Sequence, residues 1–149
     1  MPLDKYKNAL ISPDSISTVD ITEDYVVFGE SPTINRLLKL KINNKCPFDD
    51  FIETGTKKVT NKDEIIEELN AYLILLIEGK TIAPNKLRSF GSNEFEIRIK
   101  RTRVYLFFVH PNNRIIVLGH YNKSDNDQQK YIDKFRDLKD KYLKQNEQL

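Results

Sequence analysis

Four cations and one imidazole stand at spacings suited to handling a phosphodiester. The segment Glu94-Phe-Glu-Ile-Arg-Ile-Lys100 alternates polar and apolar side chains, so a strand here would carry Glu94, Glu96, Arg98 and Lys100 on one face and Phe95, Ile97 and Ile99 on the other. Arg103 opens the apolar run that follows, and Lys123 comes just after the third such run. In a three-stranded meander these cations could converge on one concave surface. An arginine fork binds two phosphate oxygens at once. Cleavage of RNA by its own 2′-hydroxyl needs a base, an acid and stabilisation of the extra negative charge, and guanidinium and ammonium groups supply the last. His120 is the candidate acid or base, because an imidazole titrates near neutrality. Its competing reading is a packed strand residue beside Gly119. His110, before Pro111, falls in a turn and reads as inert.

Other chemistries lack their motifs. There is no Gly-rich phosphate loop, no HExxH and no GxSxG. One cysteine, Cys46, and two histidines exclude an internal disulfide framework and make a structural zinc site improbable. The expectation is a site without metal or cofactor.

Charge is unevenly spread. The chain's net charge is only +2, yet residues 1–35 carry two basic and six acidic side chains. Residues 86–123 carry eight basic side chains against two acidic ones. Lys86, Arg88, Arg101 and Arg114 join Lys100 and the other cations above in that basic segment, and Lys86, Arg88, Lys100, Arg101 and Arg114 are the candidate contacts to an anionic partner such as RNA. The bland alternative is a solvated basic face with no ligand. The acidic arm could fold over the basic face and shield it, or help to dock a partner.

These residues need a scaffold. The length of 149 residues suits one domain with an arm, and eight Phe and seven Tyr can anchor its core. Residues 1–24 show little periodicity, Tyr25–Phe28 is a short β-type run, and Leu37–Ile42 alternates as a strand. Pro47–Ile52 could start a short helix. Asn61 looks like an N-cap, and Ile65, Ile66, Leu69, Tyr72, Leu73 and Leu76 mark an amphipathic helix of about 17 residues closed by Gly79. Then come three strands, at 94–100, 104–109 and 115–121, and a last helix with Tyr131, Phe135, Leu138 and Tyr142 in one stripe. The expected fold is α+β, with helices on one face of a small antiparallel sheet. No apolar run approaches the roughly 18 residues of a membrane span and no signal peptide is evident, so a soluble cytoplasmic protein is the expectation.

The run Lys86-Leu-Arg-Ser-Phe-Gly-Ser-Asn-Glu-Phe-Glu-Ile-Arg-Ile-Lys100 resembles the "L-x-x-G-x-x-E-L-R-I" stretch of RelE/HigB-type toxins of bacterial toxin–antitoxin systems. Val104–Val109 is similar to their central strand, and Ile115-Ile-Val-Leu-Gly-His-Tyr-Asn-Lys123 to their last strand and the lysine after it. The resemblance spans residues 36–145, leaving 1–35 as an extension of a toxin domain at 36–149. It implies a small α+β toxin that cuts mRNA on the ribosome without metal and is silenced by an antitoxin protein. Arg98 and Lys123 would hold phosphate or stabilise the transition state. The family's second arginine opens the central strand; Arg103 takes that place with a one-residue shift, whereas an ungapped count puts Val104 there. The related ParE branch poisons DNA gyrase without cutting RNA, so a non-catalytic binding protein, or a degenerate toxin acting through protein contacts, is the alternative.

Overall fold

The periodic segments fold as strands and helices in a computed structural model that describes residues 17–19, 26–28, 33–41, 45–54, 61–77, 79–109, 113–121 and 127–147. Lys123, His110 and most of the acidic arm lie outside the described residues. The elements are β1 (Ser17–Val19), β2 (Val26–Phe28), β3 (Thr33–Lys41), α1 (Pro47–Glu53), α2 (Lys62–Ile77), β4 (Leu87–Gly91), β5 (Glu94–Ile99), β6 (Thr102–Val109), β7 (Asn113–Tyr121) and α3 (Asp127–Glu147). The architecture is α+β, as expected. Two features are added to the expectation. Leu87–Gly91 forms a strand ahead of the meander, and parts of the arm, β1 and β2, pair with β3.

The sheet order is β1-β3-β7-β6-β5-β4, with β2 also paired to β3. The hairpins β4–β5–β6–β7 are antiparallel, whereas β3 runs parallel to β7. The sheet is therefore mixed, because the chain leaves β3 through two helices and returns to its neighbour only after three more strands. Pairing of β3 with β7 runs from Arg36↔Asn113 to Lys39↔Ile116, so the last residues of β7 project past those pairs, flanked by β6.

Helices cover both faces of the sheet rather than one. Toward α1 and α2 point Ile97, Ile99, Val104, Leu106 and Gly119, and the Phe51 ring of α1 lies directly on Gly119. Toward α3 point Glu94, Glu96, Tyr105, Phe107 and His120. Phe135 of α3, fully buried, meets the rings of Phe90, Tyr105 and Phe107 at centroid distances of 5.6, 5.8 and 6.2 Å. Burying one such ring contributes about 2–3 kcal/mol. Residues Val104–Phe107 of β6 are all buried, which is why the strand's apolar run is continuous rather than alternating.

The polar positions of β5 explain why the sequence suggested an open face. Glu94 and Glu96 alternate as solvated residues would, yet they are only 6% and 2% exposed. Arg136 Nη2 and Lys139 Nζ of α3 reach Glu94 at 3.1 and 3.0 Å. Gln128 Nε2, at the start of α3, donates to Glu96 Oε2 at 2.7 Å. Burial of a carboxylate is tolerated where charge-assisted partners replace its water.

Local signals behave as their chemistry dictates. Pro47 opens α1, where a missing N–H costs nothing. Gly79 has φ of +69°, with Gly79 N–H donating to the Leu76 carbonyl and Lys80 N–H to the Leu75 carbonyl. That pair of bonds is the Schellman closure a left-handed C′ glycine permits. Lys39 Nζ, buried on β3, pairs with Asp49 of α1 at 2.8 Å and fixes that helix against the sheet.

Candidate active site

Strand register brings three of the expected site residues into one row. Arg98 on β5 stands opposite Arg103 on β6, and Arg103 opposite His120 on β7. Directly opposed residues have Cβ atoms about 5 Å apart and point to the same face. The next row inward on that face sets Glu96 beside Tyr105, with Arg88 opposite Glu96 on β4.

Each member of the row has a different environment. The Arg98 side chain is 36% exposed, and its Nε lies 3.3 Å from Glu96 Oε1. Arg103 is 8% exposed, and its Nη1 donates to the carbonyls of Lys100 at 2.6 Å and Thr102 at 2.9 Å. Its Nε is buried without a hydrogen-bond partner. Burial, then the charge of Arg98, pushes the Arg103 pKa down; a guanidinium nevertheless keeps its charge in a protein.

His120 is 4% exposed and sits between two tyrosines. Its ring stacks on Tyr131 at 3.9 Å and 12° and faces Tyr105 at 5.4 Å and 16°. His120 Nε2 and the Tyr105 hydroxyl share a hydrogen bond of 2.9 Å, while Nδ1 is buried without a partner. Burial, and next the charge of Arg103, lowers the His120 pKa to about 4. Asp127 pulls weakly the other way. At neutral pH the imidazole is therefore uncharged, and the same burial that keeps it neutral makes it a weak base. Burial, and next the Glu96 carboxylate, raises the Tyr105 pKa, so its hydroxyl stays protonated. The arrangement is a neutral base oriented by a phenol, next to a buried guanidinium and a more exposed one.

A cleft of about 540 Å³ opens beside this row, between α1, the end of β7 and the start of α3. His120, Tyr131, Lys130, Asp127, Asp50 and Thr54 are among its lining residues. Gly119 makes the cleft's floor possible. A Cβ there would come within 2.6 Å of the Phe51 ring, so only glycine lets α1 close against β7.

The remaining expected residues scatter. Lys100 does not share a face with Arg98. The strand ends at Ile99, Lys100 turns the chain with φ of +54°, and its Nζ lies 3.7 Å from Glu64 on α2, across the sheet. Arg101 is exposed in the same hairpin turn. Lys86 pairs with Glu68 of α2 at 3.4 Å. Arg88 is exposed on β4 near the row. Arg114 lies at the other end of β7, about 20 Å from His120 by strand rise, half-buried over the Phe108 ring at 5.4 Å. So Arg98, Arg103, His120 and Arg88 come together, whereas Lys86, Lys100 and Arg114 face α2 or the far end.

Sequence reading missed Tyr105, Gln128, Lys130 and Tyr131. Tyr105 carried a usable signal, since a phenol inside a continuous apolar run must find a polar partner. Tyr131 belonged to a stripe that reads as core. Among the described residues, no group of three or more His, Cys, Asp or Glu is placed to hold a metal ion. No helix among them is long and apolar enough to cross a membrane. No protein-family model matches the chain, and no curated protein sequence matches it significantly.

Proposed function

We propose that this chain is the toxin of a bacterial type II toxin–antitoxin system, a RelE/HigB-like endoribonuclease that cuts mRNA on the ribosome in the cytoplasm. The order β3, two helices, antiparallel strands, α3 agrees with what the motif resemblance implies. The observation that carries the reading is the in-register row Arg98–Arg103–His120, with a neutral imidazole at its end. His120 takes the 2′-hydroxyl proton as that oxygen attacks the adjacent phosphorus. Arg98 binds the non-bridging oxygens, and Arg103 supports the developing charge from beneath. The P–O5′ bond breaks, and the imidazolium just formed is the acid available to the departing oxygen. The cognate antitoxin would silence the site by occupying or distorting it.

A second reading has its own support. Arg103 is tied to turn carbonyls and His120 is almost fully covered, which favours a RelE-fold protein acting by contact rather than catalysis. Induced expression in a bacterial host, with primer extension on an abundant mRNA, separates the two. Growth arrest with new cleavage ends, both lost in Arg98→Ala/Lys123→Ala, is the expected result. Arrest without cleavage supports the contact reading, and soluble protein with neither effect refutes the toxin.

A further inference from the structure

The C-terminal end of α2 leaves part of its face of the sheet open. The helix closes at Gly79, and of residues 79–82 only Ile82 is buried. On that same face Phe95 of β5 stands opposite Leu106 of β6, and Phe108 of β6 opposite Arg114 of β7. Leu87 of β4 joins them through its pairing with Ile97. Leu106 is fully covered, whereas Leu87, Phe95 and Phe108 are only half-buried. The end of α2, the segment after it and these strand residues enclose a second cleft, of about 440 Å³. That size falls within the range of small-ligand sites.

The chemistry of the lining is selective. Its polar side chains are Lys80, Thr81 and Arg114, and no acidic side chain lines it among the described residues. The cleft beside His120 differs, because Asp50 and Asp127 both line it. A cation would meet two like charges here. An inorganic anion would gain nothing from the apolar wall, and a neutral apolar molecule would leave the cations unused. The Arg114 guanidinium lies 5.4 Å over the Phe108 ring, so charge stands directly on that wall. Burial pushes its pKa down, as expected of a cation drawn partly out of water. A guanidinium has five N–H donors in a fork that fits a carboxylate, so it can take one beside its present contacts. The complementary molecule has an apolar body and a single anionic end.

We propose that this second cleft binds a small amphipathic carboxylate of the medium-chain fatty acid class, its tail against Leu87, Phe95 and Leu106 and its headgroup at Arg114 and Lys80. The site lies at the opposite end of β7 from His120 and does not depend on the RNA-cleaving reading.

Calorimetric titration of the full chain with octanoate, 1-octanol and octylammonium, each below its micelle concentration, separates headgroup from tail. Octanoate is expected to bind about tenfold more tightly than octanol, the difference made by one charge-assisted contact, and octylammonium should not bind measurably. Hexanoate should bind about tenfold more weakly than octanoate, because two fewer methylenes are buried. Arg114→Gln should reduce octanoate to the affinity of octanol. Because Arg114 also packs on Phe108, Thr81→Trp gives an independent check. Thr81 is exposed at the cleft, so the indole is tolerated there and should weaken octanoate and octanol alike by occluding the space. No binding of octanoate, equal affinity for octanoate and octanol, or octanoate binding that survives either variant overturns the proposal.

Discussion

Lowering the pH from 7.5 to 5.0 should cost this protein about 2 kcal/mol of stability through His120 alone. The imidazole is buried between Tyr105 and Tyr131, beside Arg103, and its pKa falls from 6.5 to about 4. Between those values the unfolded chain binds a proton that the folded chain refuses, so stability rises with pH across the window and is lost as pH drops through it. At 1.36 kcal/mol per unit, the full difference approaches about 3 kcal/mol, of which about 2 has been spent by pH 5.0. His120→Gln removes this imidazole and leaves the other ionisable residues in place, so the difference between the two proteins isolates it. Urea unfolding at both pH values, on wild type and on His120→Gln, reads the effect. Wild type should lose about 2 kcal/mol, a shift of about 1 M in the urea midpoint, and His120→Gln should lose far less. Equal losses in the two proteins would mean that His120 ionises freely in the fold. Its role as a buried neutral base would then be wrong.

Two further substitutions probe the framework. Glu94→Gln removes the carboxylate that binds Arg136 and Lys139, so α3 should loosen at a cost of about 2–3 kcal/mol, below the value for fully buried pairs because Arg136 is 45% exposed; thermal melts check this, and an unchanged Tm would show that α3 is held by its aromatic stripe alone. Gly119→Ala puts a methyl group against the Phe51 ring and should destabilise by about 1–3 kcal/mol through overpacking. In Gly119→Ala/Phe51→Leu part of that loss should return, and additive losses would contradict the close approach.

Much of the scaffold was legible because periodicity reports burial directly. The apolar residues of α2, the stripe on α3 and the unbroken run of β6 each name the element they form. Strand β4 was not legible, since Leu87–Gly91 is short and leaves little apolar alternation. The two-sided covering of the sheet was hidden for a different reason. Glu94 and Glu96 have the spacing of a solvated face, and nothing local says that Arg136, Lys139 and Gln128, more than 30 residues away, will replace their water.

The candidate site divides in the same way. Residue type and alternation in the sequence already put Arg98 on the polar side of a strand and Arg103 and His120 on its neighbours, because those properties are local. Whether the three align depended on register, which is set by pairing across hairpins. Lys100, two residues from Arg98, left the face because a two-residue turn rotates its backbone out of the strand. Tyr131 reached His120 because α3 packs back across the sheet, a contact between positions eleven residues apart in the chain that no spacing rule encodes, and Lys130 lies over that same Tyr131 ring. The neutrality of His120 was likewise settled by the surroundings. A histidine's own chemistry leaves it poised between charge states at neutral pH, and the removal of water by two tyrosines and a buried guanidinium decides which one it adopts.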